Sequence, residues 1–298
     1  MSQAHIPVML SETLEGLKLQ PGEWYVDATF GAGGHSRALL SKGVKVFAID
    51  QDPDAKTFEH EIREELNLPM QNFYLQTGNF RNLDEYVQAK NIEPLGVLLD
   101  LGVSSMQLDQ AERGFAFRQD GPLDMRMSQQ GESAADVVNS YSQEDLAALI
   151  YKYGEERFSR RIAREIVSSR PIHTTDRLVE IIQKAYPGGA RRDHPARRTF
   201  QALRIYVNDE LGALESALTA CERVLQNEGR LVVMSYHSLE DRIVKQFVRG
   251  SEHMSAVTKK PLTAAKEEAD QNPRSRSAKL RVAERVSQEQ VRLERVQA

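Results

Sequence analysis

The residues with the most chemistry to offer are the run Asp27-Ala28-Thr29-Phe30-Gly31-Ala32-Gly33-Gly34-His35-Ser36 and two further acids, Asp50 and Asp100. Glycines this dense weaken a helix or a strand, but they serve where the backbone takes unusual angles or lets a ligand come close. An apolar run from Trp24 precedes them and Arg37-Ala38-Leu39-Leu40 follows, so the stretch reads as strand, tight turn and helix, a layout that turns backbone N–H groups toward a ligand. Asp50 ends the next apolar run, Val44 to Ile49, where a nucleotide-binding sheet places the carboxylate that accepts the ribose hydroxyls. Together they predict a site for an adenosine-containing cofactor. A dinucleotide fits poorly, because Ser36 stands where the fingerprint asks for glycine or alanine. For the glycines alone, simple chain reversal is the competing reading.

Along the chain, the elements that must hold these residues alternate. A short helix after Pro7 precedes the first strand, and His5 ahead of it could touch substrate, although a lone N-terminal histidine is more often incidental. Asp52-Pro53-Asp54 opens a helix to about Leu66, with proline in the first turn and acids at its positive end. Phe73 to Gln76 reads as a third strand followed by Gly78-Asn79-Phe80, and Val97 to Leu99 as a buried fourth strand ending in Asp100. This alternation predicts an α/β fold with a doubly wound parallel sheet, whose ligands bind at the carboxyl ends of the strands. A carboxylate at such an end is either a cap for the following turn or a site residue. The glycine turn and Asp50 favour a site for Asp100.

The alternation stops near residue 106 and resumes near Gly229. Between lie Glu112-Arg113-Gly114-Phe115-Ala116-Phe117-Arg118, helical patterns over 143–153, 155–168 and 175–185, and the basic loop from Arg191 to Arg198. Residues 107–208 therefore read as a helical insertion in a discontinuous domain of residues 1–106 and 209–298. Residues 51–99 hold 4 Lys and Arg against 9 Asp and Glu, whereas residues 151–208 hold 13 against 6. The second stretch is a candidate surface for a polyanion, in competition with ordinary solvation of helix faces. A helix over 209–225, a fifth strand at Gly229 to Ser235 and a last strand at Lys279 to Ala283 complete the sheet. Ser238 and Asp241 have capping-box spacing. Residues 250–272 read as mobile, and the tail after Arg285 as frayed helix or disorder.

The single cysteine, Cys221, excludes an intramolecular disulfide and lacks metal-site spacing, so no metal is expected and a reducing cytoplasmic location is. No apolar run approaches the roughly 20 residues of a membrane span, and no leader pattern opens the chain. A soluble, unexported protein follows from these readings. Nothing in them fixes an oligomeric state.

An acid four positions before Gly-x-Gly-Gly is similar to the first motif of class I S-adenosylmethionine methyltransferases. The motifs Asp27 to Ser36, Asp100-Leu101-Gly102-Val103-Ser104-Ser105, Glu112-Arg113-Gly114-Phe115, Gly121-Pro122-Leu123-Asp124-Met125-Arg126-Met127, Tyr153-Gly154-Glu155-Glu156-Arg157, Arg198-Thr199-Phe200-Gln201-Ala202 and His237-Ser238-Leu239-Glu240-Asp241-Arg242 occur together and in order. So taken, the chain resembles the bacterial RsmH (MraW) methyltransferases from His5 to about Glu284. The resemblance implies a Rossmann-like class I methyltransferase sheet with an inserted helical domain. It implies methyl transfer from S-adenosylmethionine to the exocyclic N4 of a cytidine in the decoding region of 16S ribosomal RNA within the small subunit. It further implies that Gly33, Gly34, His35, Asp50, Phe80, Asp100 and Gln107 line the cofactor site, and that the insertion recognises RNA. The loop Asp100-Leu101-Gly102-Val103 lacks the prolines and aromatic of many amino methyltransferases, which leaves Asp100 or a backbone carbonyl to act as acceptor. Arg113, Phe115, Phe117 and Arg118 have the composition that stacks an unstacked base, or else plug the domain junction. His237 and Tyr236 are second-line residues for the base pocket.

Overall fold

In a computed structural model the described residues are 7–187 and 194–291. His5, Arg191 and Arg192, and most of the tail after Arg285, lie outside or at the edge of that range. The elements run α1 (Leu10–Leu17), β1 (Trp24–Asp27), α2 (Gly34–Leu40), β2 (Lys45–Asp50), α3 (Lys56–Glu65), β3 (Phe73–Thr77), α4 (Leu83–Ala89) and β4 (Gly96–Asp100). Then come α5 (Ser105–Asp109), α6 (Ala134–Ser140), α7 (Gln143–Gly154), α8 (Ser159–Ser168), α9 (Thr175–Ala185) and α10 (Arg197–Asn208). The chain continues through α11 (Glu210–Val224), β5 (Arg230–Ser235), α12 (Ser238–Gly250), β6 (Met254–Ala256), α13 (Lys266–Gln271) and β7 (Lys279–Arg285). Two compact units result, Met1–Gly102 with Leu211–Ala298, and Val103–Glu210.

The first unit carries a seven-stranded sheet in the order β3-β2-β1-β4-β5-β7-β6. Strands β1 to β5 pair in parallel, whereas β7 runs antiparallel to both β5 and β6. Strand residues Val46, Phe47, Ala48 and Ile49, and Val97, Leu98 and Leu99, are fully buried, as expected of parallel strands covered on both faces. Alternation splits them between two cores. Val46, Ala48, Leu98 and Val232 pack with Leu17, Leu39 and Ile62 on one face, and Phe47, Ile49, Val97 and Leu99 with Leu83, Leu214 and Leu218 on the other.

Two expectations need correction here. Residues 250–272 are not featureless: Met254 is buried, β6 pairs with β7, and Glu268 of α13 accepts the backbone N–H of Met9 at 2.8 Å. The cap of α12 sits one residue earlier than the Ser238 and Asp241 spacing indicates. His237 is its N-cap and Glu240 the reciprocal partner, while Asp241 accepts from Arg281 Nε at 2.7 Å and ties α12 to β7.

The second unit has its own core, in which Leu146, Ile150, Ile162, Ile166, Leu178, Ile182, Phe200 and Leu203 meet. Helix α8 begins at Ser159 rather than Glu155, because Glu155 takes a left-handed backbone as the cap of α7. Ile162, Ala163 and Ile166 turn inward, so Arg160, Arg161 and Arg164 are exposed. Among the described residues no helix is long and apolar enough to cross a membrane.

Candidate functional site

The glycine turn is built by close packing. Gly33 is the left-handed N-cap of α2 (φ 75°), and a Cβ there would lie 2.4 Å from Ile62 and 2.8 Å from Phe30. No L side chain fits that angle and that space together. Asp27 at the end of β1 is buried and is spent on the turn, accepting the Ser36 hydroxyl at 2.7 Å and the Thr29 N–H at 3.3 Å. Asp50 at the end of β2 reaches across: Oδ2 accepts the Gly31 N–H at 2.6 Å and Oδ1 the Asp52 N–H at 2.8 Å. Burial pushes the Asp50 carboxyl up to about 6, against the lowering effect of those two N–H groups.

A second carboxylate stands at the end of β4. The Asp100 N–H donates to Thr29 Oγ1 at 2.7 Å, which ties β4 to the turn after β1. Its Oδ1 accepts the Tyr236 hydroxyl at 2.7 Å, and its Oδ2 lies 3.8 Å from His35 Nδ1. His35, buried on α2, donates from Nε2 to the Val8 carbonyl at 3.2 Å, which leaves Nδ1 facing the carboxylate. Burial raises the Asp100 pKa, opposed by His35 and by the Tyr236 hydrogen bond. Glu240, buried in the first turn of α12, accepts the backbone N–H of Tyr236 at 2.7 Å and fixes the end of β5. The strand ends of β1, β4 and β5 thus converge on Asp100, at the edge where an open α/β sheet takes its ligand.

Other sequence-derived residues fall differently. Gly34 begins α2, and Phe80, half-buried after β3, packs against the core that holds Phe47 and Leu83. The His237 ring caps α12, with Nδ1 accepting the Glu240 N–H at 3.5 Å, so it serves its own helix. In the second unit, Gln107 is buried and completes a capping box with Ser104: Gln107 Oε1 accepts the Ser104 N–H at 3.1 Å.

The aromatic loop packs largely into the second unit. Phe115 is buried in the core of the second unit, and buried Arg113 donates to the Arg126 and Met127 carbonyls at 3.1 Å each. Gly114 sits at φ 70°, and a Cβ there would lie 2.2 Å from the Pro122 carbonyl oxygen. Arg113 and Phe115 thus help to lock two loop motifs together. Phe117 stacks on His194 at 4.7 Å and meets Phe200 edge-on, while exposed Arg118 lies over the Phe117 ring at 5.8 Å. Thr29 and Glu240 are the residues that sequence reasoning missed; Glu240 lay inside the His237 to Arg242 motif, and Thr29 inside the glycine motif.

A doubly wound sheet with an antiparallel strand between β5 and the edge, a glycine turn after β1 and an acid ending β2 define a class I S-adenosylmethionine-dependent methyltransferase. The chain belongs to the MraW methylase family, whose family model matches residues 2–286. It is similar to the ribosomal RNA small subunit methyltransferase H of Deinococcus radiodurans, at 54% identity over 288 residues covering 95% of this chain and 90% of that protein. The protein of the same name from Deinococcus deserti is 55% identical over 289 residues, 96% of this chain and 94% of its own. The one from Synechocystis is 48% identical over 289 residues, 95% and 93% respectively.

The residues present fit the cofactor of that class. A carboxylate has about four acceptor positions, and Asp50 gives one on each oxygen to a backbone N–H, which matches the two donors of a ribose diol to the remainder.

Proposed function

We propose that this protein transfers a methyl group from S-adenosylmethionine to the exocyclic N4 of a cytidine in the decoding region of 16S ribosomal RNA, acting on the small ribosomal subunit in the cytoplasm. The observation that carries the reading is the partly buried Asp100 carboxylate, held at the converging strand ends and raised in pKa, in a chain whose relatives bear the name ribosomal RNA small subunit methyltransferase H.

The bound cofactor supplies an electrophilic methyl group on a sulfonium. Asp50 would accept the ribose hydroxyls, the turn at Gly33 and Gly34 would bring backbone close to the cofactor, and Phe80 would supply an apolar face for the adenine. His35, Asp100 and, on the resemblance alone, Gln107 complete the cofactor set. Cytosine N4 is a poor nucleophile because its lone pair is delocalised into the ring. Asp100 accepts an N4 hydrogen, localises that pair and takes the proton released when the N–C bond forms; its raised pKa suits it to hold that proton. Alignment of methyl and nitrogen supplies much of the rate, since positioning can be worth roughly 7–11 kcal/mol.

The RNA surface in this reading is the helical unit. Arg160, Arg161, Arg197 and Arg198 are exposed on α8 and α10 and meet phosphates. Phe117 and Arg118 are the residues of the aromatic loop that keep exposure for a base or backbone contact. The test is transfer of labelled methyl to small subunits from a strain lacking this protein, with naked 16S RNA alongside. Label recovered as N4-methylcytidine is expected. Label on another base, or on protein, would overturn the reading.

A further inference from the structure

Around Asp100 the two carboxylate oxygens have different surroundings. Oδ1 receives the Tyr236 hydroxyl at 2.7 Å, while Oδ2 lies 3.8 Å from His35 Nδ1. Tyr236 is held in turn, since its backbone N–H is taken by buried Glu240 at 2.7 Å. The Asp100 backbone is pinned from the other side by Thr29. We infer that Tyr236 is a positioning residue for methyl transfer, its hydroxyl occupying Oδ1 and fixing the carboxylate plane so that Oδ2 is the oxygen offered to the acceptor amine. This rests on the reading above, in which Asp100 serves N4. In the step, the N4–C bond forms as the S–C bond breaks, the sulfonium leaves as a neutral thioether, and the N4 proton passes to Oδ2.

The hydroxyl is a donor by circumstance as well as by distance. Burial, then the neighbouring Asp100 charge, drives the Tyr236 pKa well above its usual value, so the phenol keeps its proton. The groups facing Asp100 are His35 from α2, Tyr236 and Glu240 from the end of β5 and α12, Arg274 from the turn before β7, and Asp27 from the end of β1. Burial and Glu240 raise the Asp100 pKa; His35, Tyr236 and Arg274 lower it. Removing one hydroxyl therefore does two things at once: it frees the carboxylate to rotate, and it moves its titration upward.

The experiment is Tyr236→Phe, a change of one oxygen atom, followed by single-turnover methyl transfer to small subunits at saturating cofactor across about pH 5 to 9. The plateau rate should fall roughly tenfold or more, as befits loss of a hydrogen bond to a charged group. The acid limb of the profile should move to higher pH, while cofactor affinity stays within about twofold. In Asp100→Asn the same change should add almost nothing, because the two residues act as a unit. An unchanged rate, or a lower plateau with an unmoved acid limb, would mean that the hydroxyl only packs, and the inference fails. Wild-type protein inactive on small subunits would instead retire the substrate reading. In that event the carboxyl titration of Asp100 followed by carbon-13 NMR decides, its midpoint rising in Tyr236→Phe if the inference holds and staying put if it does not.

Discussion

Cofactor affinity should fall as acid protonates Asp50. The carboxyl titrates at about 6, because burial outweighs the Gly31 and Asp52 N–H bonds. A diol donates to a carboxylate far better than to a carboxylic acid, whose own proton occupies one of its acceptor positions. If only the ionised form binds, affinity drops about twofold at pH 6 and about tenfold at pH 5, relative to neutral pH. Direction of the stability effect separates this from unfolding. The folded value lies above the unfolded one of about 3.9, so the ionised Asp50 is a destabilising element above about pH 6 that is relieved as pH falls toward 4. Acid in that window does not unfold the chain through this residue. Isothermal titration calorimetry of S-adenosylmethionine between about pH 5 and 8 reads the loss, and Asp50→Ala provides the reference: at least about tenfold weaker at neutral pH, with the pH slope gone. A wild-type slope that persists in Asp50→Ala would assign it to another group, and unchanged affinity in that variant would remove Asp50 from the site.

Asp100→Asn should depress the single-turnover rate more than it weakens the cofactor, because an amide accepts a hydrogen bond but takes no proton; weaker binding at an unaltered rate would leave Asp100 a binding residue only. Changing Arg160, Arg161, Arg197 and Arg198 together to Gln should flatten the salt dependence of small-subunit binding by up to roughly 0.7 in log–log slope for each phosphate no longer neutralised. Cofactor affinity, titrated alongside, should hold, and an unchanged salt slope would mean these arginines only solvate their helices. Gly33→Ala should destabilise the first unit by about 1–3 kcal/mol in urea unfolding, since its Cβ meets Ile62 and Phe30 at a left-handed backbone; an unshifted midpoint would show that the turn relaxes freely.

What sequence made legible followed local pattern. Strands β1 to β5, the turn at Gly33 and the acid at Asp50 carry periodicity or spacing that survives in any window of the chain. The cap of α12 was misplaced because histidine is not among the favoured N-cap residues, and Ser238 beside it is. Arg113 and Phe115 read from sequence as parts of a base-stacking loop or a plug; the crossing of two loops, fixed at Gly114 and Pro122, is what buries them, and no local pattern shows it. The Tyr236 contact with Asp100 joins residues 136 positions apart, beyond any motif. Strand β6 escaped because three residues with one buried methionine carry no period.

The place of β7 in the sheet has a consequence for synthesis. In chain order β5 is made well before the strand that covers its open edge, and Arg274, which faces Asp100, also comes late. A nascent or truncated chain that stops short of Lys279 carries a bare apolar strand edge, Leu231 to Met234, ready to pair with another copy. It also lacks the Arg281 tie that anchors α12 at Asp241. Closure of the sheet therefore waits on its last-made strand, and a chain released after β6 is expected to aggregate more readily than the full chain.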